Sequence, residues 1–235
     1  MASQVVPLET SNLFAARSER TAGLWLKRWL DVSVAAALLV LLLPLLAAIG
    51  LLIWVESGEP SVIYRATRVG QGGRRFSMLK FRTMVNGADC MLDRVLHLNL
   101  CQDRNGMIKI PDDPRVTGIG RVLRRYSLDE LPQLLNVLSG EMSFVGPRPP
   151  EPNEIDLDRY EDRVRLSMRP GLTGLWQVTD RTHPSSRLRV QRDAAYVRNW
   201  SLWLDCRILF KTIPVVLAGQ GGTVQLMPAI EPAQT

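Results

Sequence analysis

The sequence predicts a mainly helical α+β monotopic membrane protein. Its parts are an N-terminal re-entrant helix broken at a proline, a small β-hairpin and amphipathic surface helices. Three observations carry this reading. An apolar run from Val32 to Val55 contains Ser33 as its one hydroxyl residue and Pro44 near its centre. A glycine-rich turn, RVGQGGRR from Arg68, joins two short extended segments. Further on, apolar residues recur at helical spacing, most clearly from Trp200 to Ala218. The expected organisation is a mobile tail over 1–22, a membrane helix over 23–56, a cytosolic membrane-surface domain over 57–219 and a disordered C-terminal tail over 220–235.

The apolar run is longer than the roughly 7–15 residues of a signal-peptide core and begins too far from the N-terminus to be one. It meets the length of about 20 residues that a spanning helix requires. Pro44 removes a backbone hydrogen bond and crowds the preceding turn, leaving two halves each too short to span at about 1.5 Å per residue. Cations flank both ends: Lys27 and Arg28 before the run, and Arg65, Arg68, Arg74, Arg75, Lys80 and Arg82 after it. One crossing would place positive charge on both sides, against the positive-inside rule. A helix that enters one leaflet and returns satisfies both observations. A kinked spanning helix is the alternative, because proline is tolerated in membrane helices. Trp25, Trp29 and Trp54 fit interfacial anchoring in either case.

The 235 residues carry a formal charge of +6, which favours polyanions or an anionic membrane surface. Nucleic acid is not expected: aromatics make up only 6% of the chain, and no DNA- or RNA-binding motif is present. Cys90, Cys101 and Cys206 lie far apart, as do His97 and His183. They make no zinc or catalytic pattern, so all five are expected to be small buried or half-buried side chains in a reducing compartment.

Between the hairpin and residue 123 the motifs are short. The hairpin glycines lack Gly-Lys-Ser/Thr and open no helix, so a tight turn is expected there rather than a phosphate loop. In Lys80-Phe-Arg-Thr-Met, an extended chain puts Lys80 and Arg82 on one face. Helical spacing runs from Ala88 to Cys101, and Asp112-Asp-Pro-Arg-Val-Thr offers Arg115 as another phosphate candidate.

From Leu123 to Pro149 the chain reads LRRYSLDELPQLLNVLSGEMSFVGPRP. Adjacent carboxylates, Asp129 and Glu130, follow Arg124 and Arg125, and Arg148 sits between two stiffening prolines. Such a pair suits phosphate chemistry: carboxylates supply a nucleophile or metal ligands, and guanidinium forks bind phosphate oxygens. Ser127 and Glu130 also match a capping box. Pro132 then favours a helix starting at Asp129 or Glu130, with Asp129 kept ionised at its N-terminus. On the residues alone, capping and catalysis are equal readings. Downstream, a charged helix is expected over Asn153 to Met168, a turn and a buried segment over Arg169 to Val178, and a helix over Ser186 to Asn199. The Trp200–Ala218 helix belongs to the core or lies on the membrane surface.

From about Lys27 to Gly219 the chain resembles the bacterial sugar transferases of the monotopic phosphoglycosyl transferase type, in their short exopolysaccharide-pathway form. The matching pieces come in family order: KR-x-x-D, RVG-x-GG, KFRTM, DPRVT, SLDELPQLLNVLSGEMSFVGPRP, and RPGLTGLWQV followed by an arginine. The resemblance implies transfer of a sugar 1-phosphate from a UDP-sugar donor to undecaprenyl phosphate, releasing UMP, through a phospho-aspartyl sugar formed on Asp129. It implies Mg²⁺ held by Asp129 and Glu130, and a helix broken at Pro44. Phosphate or substrate contacts fall by resemblance on Lys80, Arg124, Arg148 and Arg181, with Asp193 at an acidic position of the family pattern; Arg82 and Arg115 remain phosphate candidates from the residues alone. The expected location is the cytosolic face of a bacterial inner membrane, among its lipids, and a homodimer is left open. Two positions depart from the pattern: Ala66 stands where many members have glutamine, and Asp180 replaces the usual glycine before Arg181.

Two other functions compete with this one. A glycosyltransferase with a lipid acceptor would release UDP instead of UMP. A non-catalytic adaptor would use the basic loops to dock on anionic lipid, with Asp129 only capping a helix. No motif reads the sugar hydroxyls, so glucose, galactose and N-acetylated sugars all fit as donors.

Overall fold

A computed structural model describes residues 10–59, 61–99, 110, 112–180 and 185–219. Eight α-helices and four short strands are assigned among them. The first helix, α1 (Thr10–Ser57), is 48 residues long and contains Pro44. It starts inside the stretch read as a tail, because extending an existing helix through good formers such as Ala15 and Ala16 is cheap once it is nucleated. It also stays helical through Pro44, where a break was expected. A lone proline among Leu41–Leu43 and Leu45–Ala48 costs one backbone bond and bends a helix without ending it. From Thr21 to Ser57, α1 is long and apolar enough to cross a membrane.

Strands β1 (Ile63–Val69) and β2 (Arg75–Phe81) form the expected antiparallel hairpin, pairing Ile63 with Phe81 and Val69 with Arg75. Its turn is tight, with Gly72 and Gly73 both at positive φ, a conformation that glycine adopts without a Cβ penalty. The helix expected over Ala88–Cys101 is reduced to α2 (Leu92–Val95) and one 3-10 turn in its described part. Helix α3 (Gly118–Arg125) is capped by the Thr117 hydroxyl, which accepts from the Gly120 N–H at 2.9 Å. A 3-10 turn over Leu128–Glu130 and helix α4 (Gln133–Ser139) follow.

Strand β3 (Ser143–Val145) pairs in parallel with β4 (Gly171–Thr173). Glycine is required where they meet: a Cβ at Gly146 would collide with the Arg169 carbonyl, and one at Gly171 with the Gly146 N–H. Between them, α5 (Tyr160–Arg165) and a 3-10 turn at Pro152–Glu154 replace the longer charged helix expected. Helices α6 (Leu175–Thr179), α7 (Ser186–Arg198) and α8 (Leu202–Leu217) complete the chain. The expected C-terminal tail, 220–235, lies outside the described residues.

The core explains how α1 sits. Ala35, Leu38, Leu42, Leu46, Ile49 and Ile53 recur every three or four residues, which places them on one helical face. The first three pack with Met78, Leu134 and Val137, and the last three with Phe81, Leu123 and Leu131. On the opposite face Trp29, Val40, Leu41 and Val55 are exposed. Helix α8 is divided the same way: Asp205 and Ile208 are buried, while Trp203, Phe210, Ile213 and Leu217 are exposed. Cys90 and Cys206 are exposed as well, contrary to expectation, as is His97. Each sits on an outward face of a short loop or helix.

Polar groups at both ends of the α1 packing face tie it down. Lys27 Nζ lies 2.7 Å from Asp205 Oδ2 in a buried ion pair. Asp205 also accepts from the Tyr196 hydroxyl at 2.7 Å and from Trp200 Nε1 at 3.3 Å. Arg28 donates to the Val137 and Leu138 carbonyls at 2.6 and 3.0 Å. Asp31 accepts the Phe144 N–H at 3.3 Å. At the far end, Glu56 accepts from the Ile119 N–H at 3.1 Å.

Candidate active site

The carboxylate pair lies on the 3-10 turn between α3 and α4. Ser127, expected to cap a helix, is left-handed (φ 55) and makes no side-chain cap. Helix α4 begins at Gln133, with Pro132 as an N-cap that has no side-chain bond. The capping box therefore does not form: the left-handed kink at Ser127 turns its hydroxyl away from the free N–H groups it would need to reach. This leaves Asp129 buried at 8% exposure with no helix to cap.

Three groups put charge near Asp129. From β2, Lys80 Nζ stands 2.7 Å from Glu130 Oε1 and 3.9 Å from Asp129 Oδ2. From α3, Arg124 donates Nε to the Thr83 hydroxyl at 2.9 Å and lends its positive field to Asp129. Glu130 is the adjacent like charge. Burial pushes the Asp129 carboxyl up to about 6, Lys80 and Arg124 pull it down, and Glu130 adds to the rise. Helix-terminal stabilisation had been expected to keep this carboxylate low. Desolvation outweighs it because the turn is buried and too short to carry a helix dipole.

Arg148 follows β3, placed there by the β3–β4 pair: Gly146 N–H donates to the Thr173 carbonyl at 3.0 Å and Gly171 N–H to the Pro147 carbonyl at 2.9 Å. Its guanidinium lies near those of Arg189 and Arg68 and feels the opposite charge of Glu130 and Glu154. Burial lowers its pKa, helped by the two arginines, yet a guanidinium stays charged at any working pH. Among the described residues it has no ion-pair partner within 4.0 Å, unlike Arg68, held by Glu151 at 2.8 Å, and Arg189, held by Glu154 at 3.0 Å. It is thus a cation within the field of Glu130 that no carboxylate among the described residues pairs with.

The remaining candidates divide. Asp193 on α7 is fully buried beneath this arginine group, with Arg165, Arg189 and Arg148 around it. Its oxygens have no hydrogen-bond partner, and the Arg148 N–H approaches without closing a bond. Arg115 does not offer a free fork: buried, it donates Nε and Nη2 to Asp113 at 2.9 and 2.7 Å and Nη1 to the Ala88 carbonyl at 3.3 Å. Arg82 donates to Asn86 at 2.7 Å and Ser61 at 2.8 Å, away from the carboxylates. Arg181 lies outside the described residues. Its neighbour Asp180 accepts from Arg192 at 2.7 Å, and Ala66 packs in the hairpin core.

Sequence reasoning passed over Thr83, which seats Arg124, although it lies in the same KFRTM motif as Lys80. Arg28 and Asp31 belong to the KR-x-x-D motif, but their bonds to α4 and β3 were not foreseen.

Among the described residues, no group of three or more His, Cys, Asp or Glu encloses a metal. Asp129 and Glu130 are the residues that could hold Mg²⁺, which commonly takes one or two carboxylates and completes its shell with phosphate oxygens and water; here Lys80 Nζ stands 2.7 Å from Glu130 Oε1.

The model of the family described as bacterial sugar transferase matches residues 22–219. The Rhizobium meliloti protein named exopolysaccharide production protein ExoY is 45% identical over 204 residues, covering 86% of this chain and 90% of that one. The UDP-galactose-lipid carrier transferase of Erwinia amylovora is 45% identical over 222 residues, 93% of this chain but 45% of its own length, so this chain spans less than half of it. The UDP-glucose:undecaprenyl-phosphate glucose-1-phosphate transferase of Caulobacter vibrioides is 43% identical over 201 residues, covering 81% of this chain and 69% of that protein. With the carboxylate pair, its lysine and its arginines arranged as described, and with this match over most of its length, the chain belongs to the bacterial sugar transferase family.

Proposed function

We propose that this protein transfers a sugar 1-phosphate from a UDP-sugar to undecaprenyl phosphate at the cytosolic face of a bacterial inner membrane, as an early membrane step of exopolysaccharide synthesis. The observation that carries the reading is Asp129 itself: a buried carboxylate that caps no helix, pushed up to about 6 and flanked by Lys80 and Arg124. Above neutral pH such a group is mostly ionised, yet more basic and more nucleophilic than an ordinary aspartate.

In the first step an Asp129 oxygen attacks the sugar-bearing phosphorus. The bond from that phosphorus to the bridging oxygen breaks, and UMP leaves with the electron pair. A mixed phospho-carboxyl anhydride remains. An oxygen of the lipid phosphate then attacks the same phosphorus and expels the Asp129 carboxylate, giving the lipid diphospho-sugar. Lys80 and Arg124 hold Asp129 in its charged form and meet charge developing on the phosphoryl oxygens. Arg148, with no carboxylate partner of its own, is available to a phosphate. Mg²⁺ on Asp129 and Glu130 would neutralise diphosphate charge.

The re-entrant seating of α1 draws support from its tethers. A straight helix from Arg28 to Glu56 is about 42 Å long, more than the roughly 30 Å hydrocarbon core. Both residues bond to α3 or α4 of the same polar body. A crossing helix would put those two contacts on opposite faces of the membrane.

The test is to incubate the membrane-reconstituted protein with undecaprenyl phosphate, Mg²⁺ and a panel of UDP-sugars, and to measure released nucleotide. UMP from one donor, abolished by Asp129→Asn, is the expected result. Release of UDP, or normal turnover by Asp129→Asn, refutes the mechanism.

A further inference from the structure

Among the described residues, strand β2 has a sheet neighbour on one side only, since the hairpin has two strands. The Arg82 N–H donates to the Val62 carbonyl at 2.9 Å. In an antiparallel ladder the backbone groups alternate in direction, so those of Ser77 and Leu79 point away from β1 towards an edge no strand covers. A bare edge in a buried setting leaves donors and acceptors unsatisfied.

One side chain covers it. Asn136, in the middle of α4 and 3% exposed, accepts the Leu79 N–H on Oδ1 at 3.0 Å and donates Nδ2 to the Ser77 carbonyl at 2.8 Å. Its amide bonds to the strand as a backbone peptide would. The orientation is fixed from outside, because Nδ2 also donates to Glu141 Oε2 at 2.7 Å, an oxygen further held by the Ser139 hydroxyl at 3.0 Å. Helix α4 is itself clamped at its C-terminal end by Arg28, on the Val137 and Leu138 carbonyls, and by Arg169, on the Gly140 carbonyl at 2.9 Å. Its N-terminal end follows directly from the turn that bears Asp129 and Glu130.

The residue next to Leu79 is Lys80. A one-residue slip of β2 along α4 would send the Lys80 side chain to the other face, away from the carboxylates. We propose that Asn136 is a positioning residue that sets the register of β2 against α4 and thereby fixes Lys80 at the Asp129–Glu130 pair. The inference rests on the proposed role of that pair, but its mechanical half can be tested separately.

The test has two arms. In the first, reconstituted wild-type and Asn136→Ala proteins are acetylated briefly with an amine-reactive ester, and modification is read peptide by peptide by mass spectrometry. Exposed Lys211 is the reference, and Lys27, buried against Asp205, reports general loosening. The expected result is a rise of about fivefold at Lys80, equivalent to losing about one net hydrogen bond, with Lys27 unchanged. No rise at Lys80, or an equal rise at Lys27, overturns the proposal. Should Asn136→Ala fail to fold, Glu141→Ala frees the amide from an exposed position, and about a twofold rise confined to Lys80 is expected. In the second arm, UMP release is compared in Lys80→Gln, Asn136→Ala and the double variant. A residue acting through Lys80 adds little once Lys80 is gone, whereas a purely structural residue costs the same in both backgrounds, so additive losses overturn the proposal. If the wild-type protein releases no UMP, the functional reading fails and the labelling arm still decides the positioning.

Discussion

Replacing Asp205 with alanine should unseat the N-terminal half of α1 at a measurable cost. The Asp205 carboxylate is 6% exposed and gathers three donors: the Lys27 ammonium and the Tyr196 hydroxyl, both at 2.7 Å, and Trp200 Nε1 at 3.3 Å. Burial and the Asp205 charge together push the Tyr196 phenol up, so it stays a donor. Without Asp205, the Lys27 ammonium is left buried with no carboxylate within 4.0 Å among the described residues. Removing one partner of a buried pair costs about 3–5 kcal/mol. For a domain of this size, each kcal/mol moves the melting midpoint by about 2–4 °C, so a fall of roughly 6–20 °C is expected. Thermal unfolding in lipid nanodiscs, followed by tryptophan fluorescence, measures it, with Trp200 reporting from beside the pair. Pairing Asp205→Leu with Lys27→Met should recover much of the loss, because no charge is then stranded. An Asp205→Ala midpoint within about 2 °C of wild type would refute the reasoning.

Two more predictions follow from single positions. A Cβ at Gly120 would strike the Thr83 carbonyl, so Gly120→Ala should push α3 away from the KFRTM strand end and separate Arg124 from Thr83. A loss of about 1–3 kcal/mol, the usual cost of overpacking, is expected in denaturant unfolding, with reduced turnover. Asp193 supplies a pH dependence: burial pushes its carboxyl up to about 7, against the pull of Arg165, Arg189 and Arg148. The native state then holds a proton that the unfolded chain has already lost above pH ~4. Stability should therefore fall as pH rises from about 4 through 7, by an amount on the order of 4 kcal/mol. The slope of melting midpoint against pH should become shallower in Asp193→Asn, the part due to Asp129 remaining below about pH 6, and an unchanged slope would count against the shift.

The elements legible in the sequence were those specified locally. The hairpin follows from alternating residues on both sides of a glycine turn, α7 and α8 from helical periodicity, and the long helix α1 from its apolar run. The carboxylate pair and Lys80 were legible through motif order. What escaped was long-range. Strands β3 and β4 have three residues each, too few for a periodic signal, and their partners lie far apart in the chain. The Ser127 capping box matched its pattern but lost to a left-handed backbone at Ser127. Asn136 reads as an ordinary helical residue until β2 is laid beside it. Arg115 looked like a phosphate ligand only because Asp113, two residues earlier, could not be seen folding back onto it.

The apolar stripe from Ala35 to Ile53 has a consequence for how the protein is made. The helix leaves the ribosome before its partners Met78, Phe81, Leu123 and Leu134, which are synthesised well after it. Until they arrive, every side of α1 is bare, and lipid is the one solvent that tolerates it. On the proposed membrane seating, the bilayer would serve as a holding site before it served as an anchor, and docking of the polar body would strip lipid from one face only. By the same logic, a chain begun after Ser57 would present two unfilled apolar clefts to water. Such a fragment should aggregate, because α1 is also the wall against which the turn bearing Asp129 and Glu130 is packed.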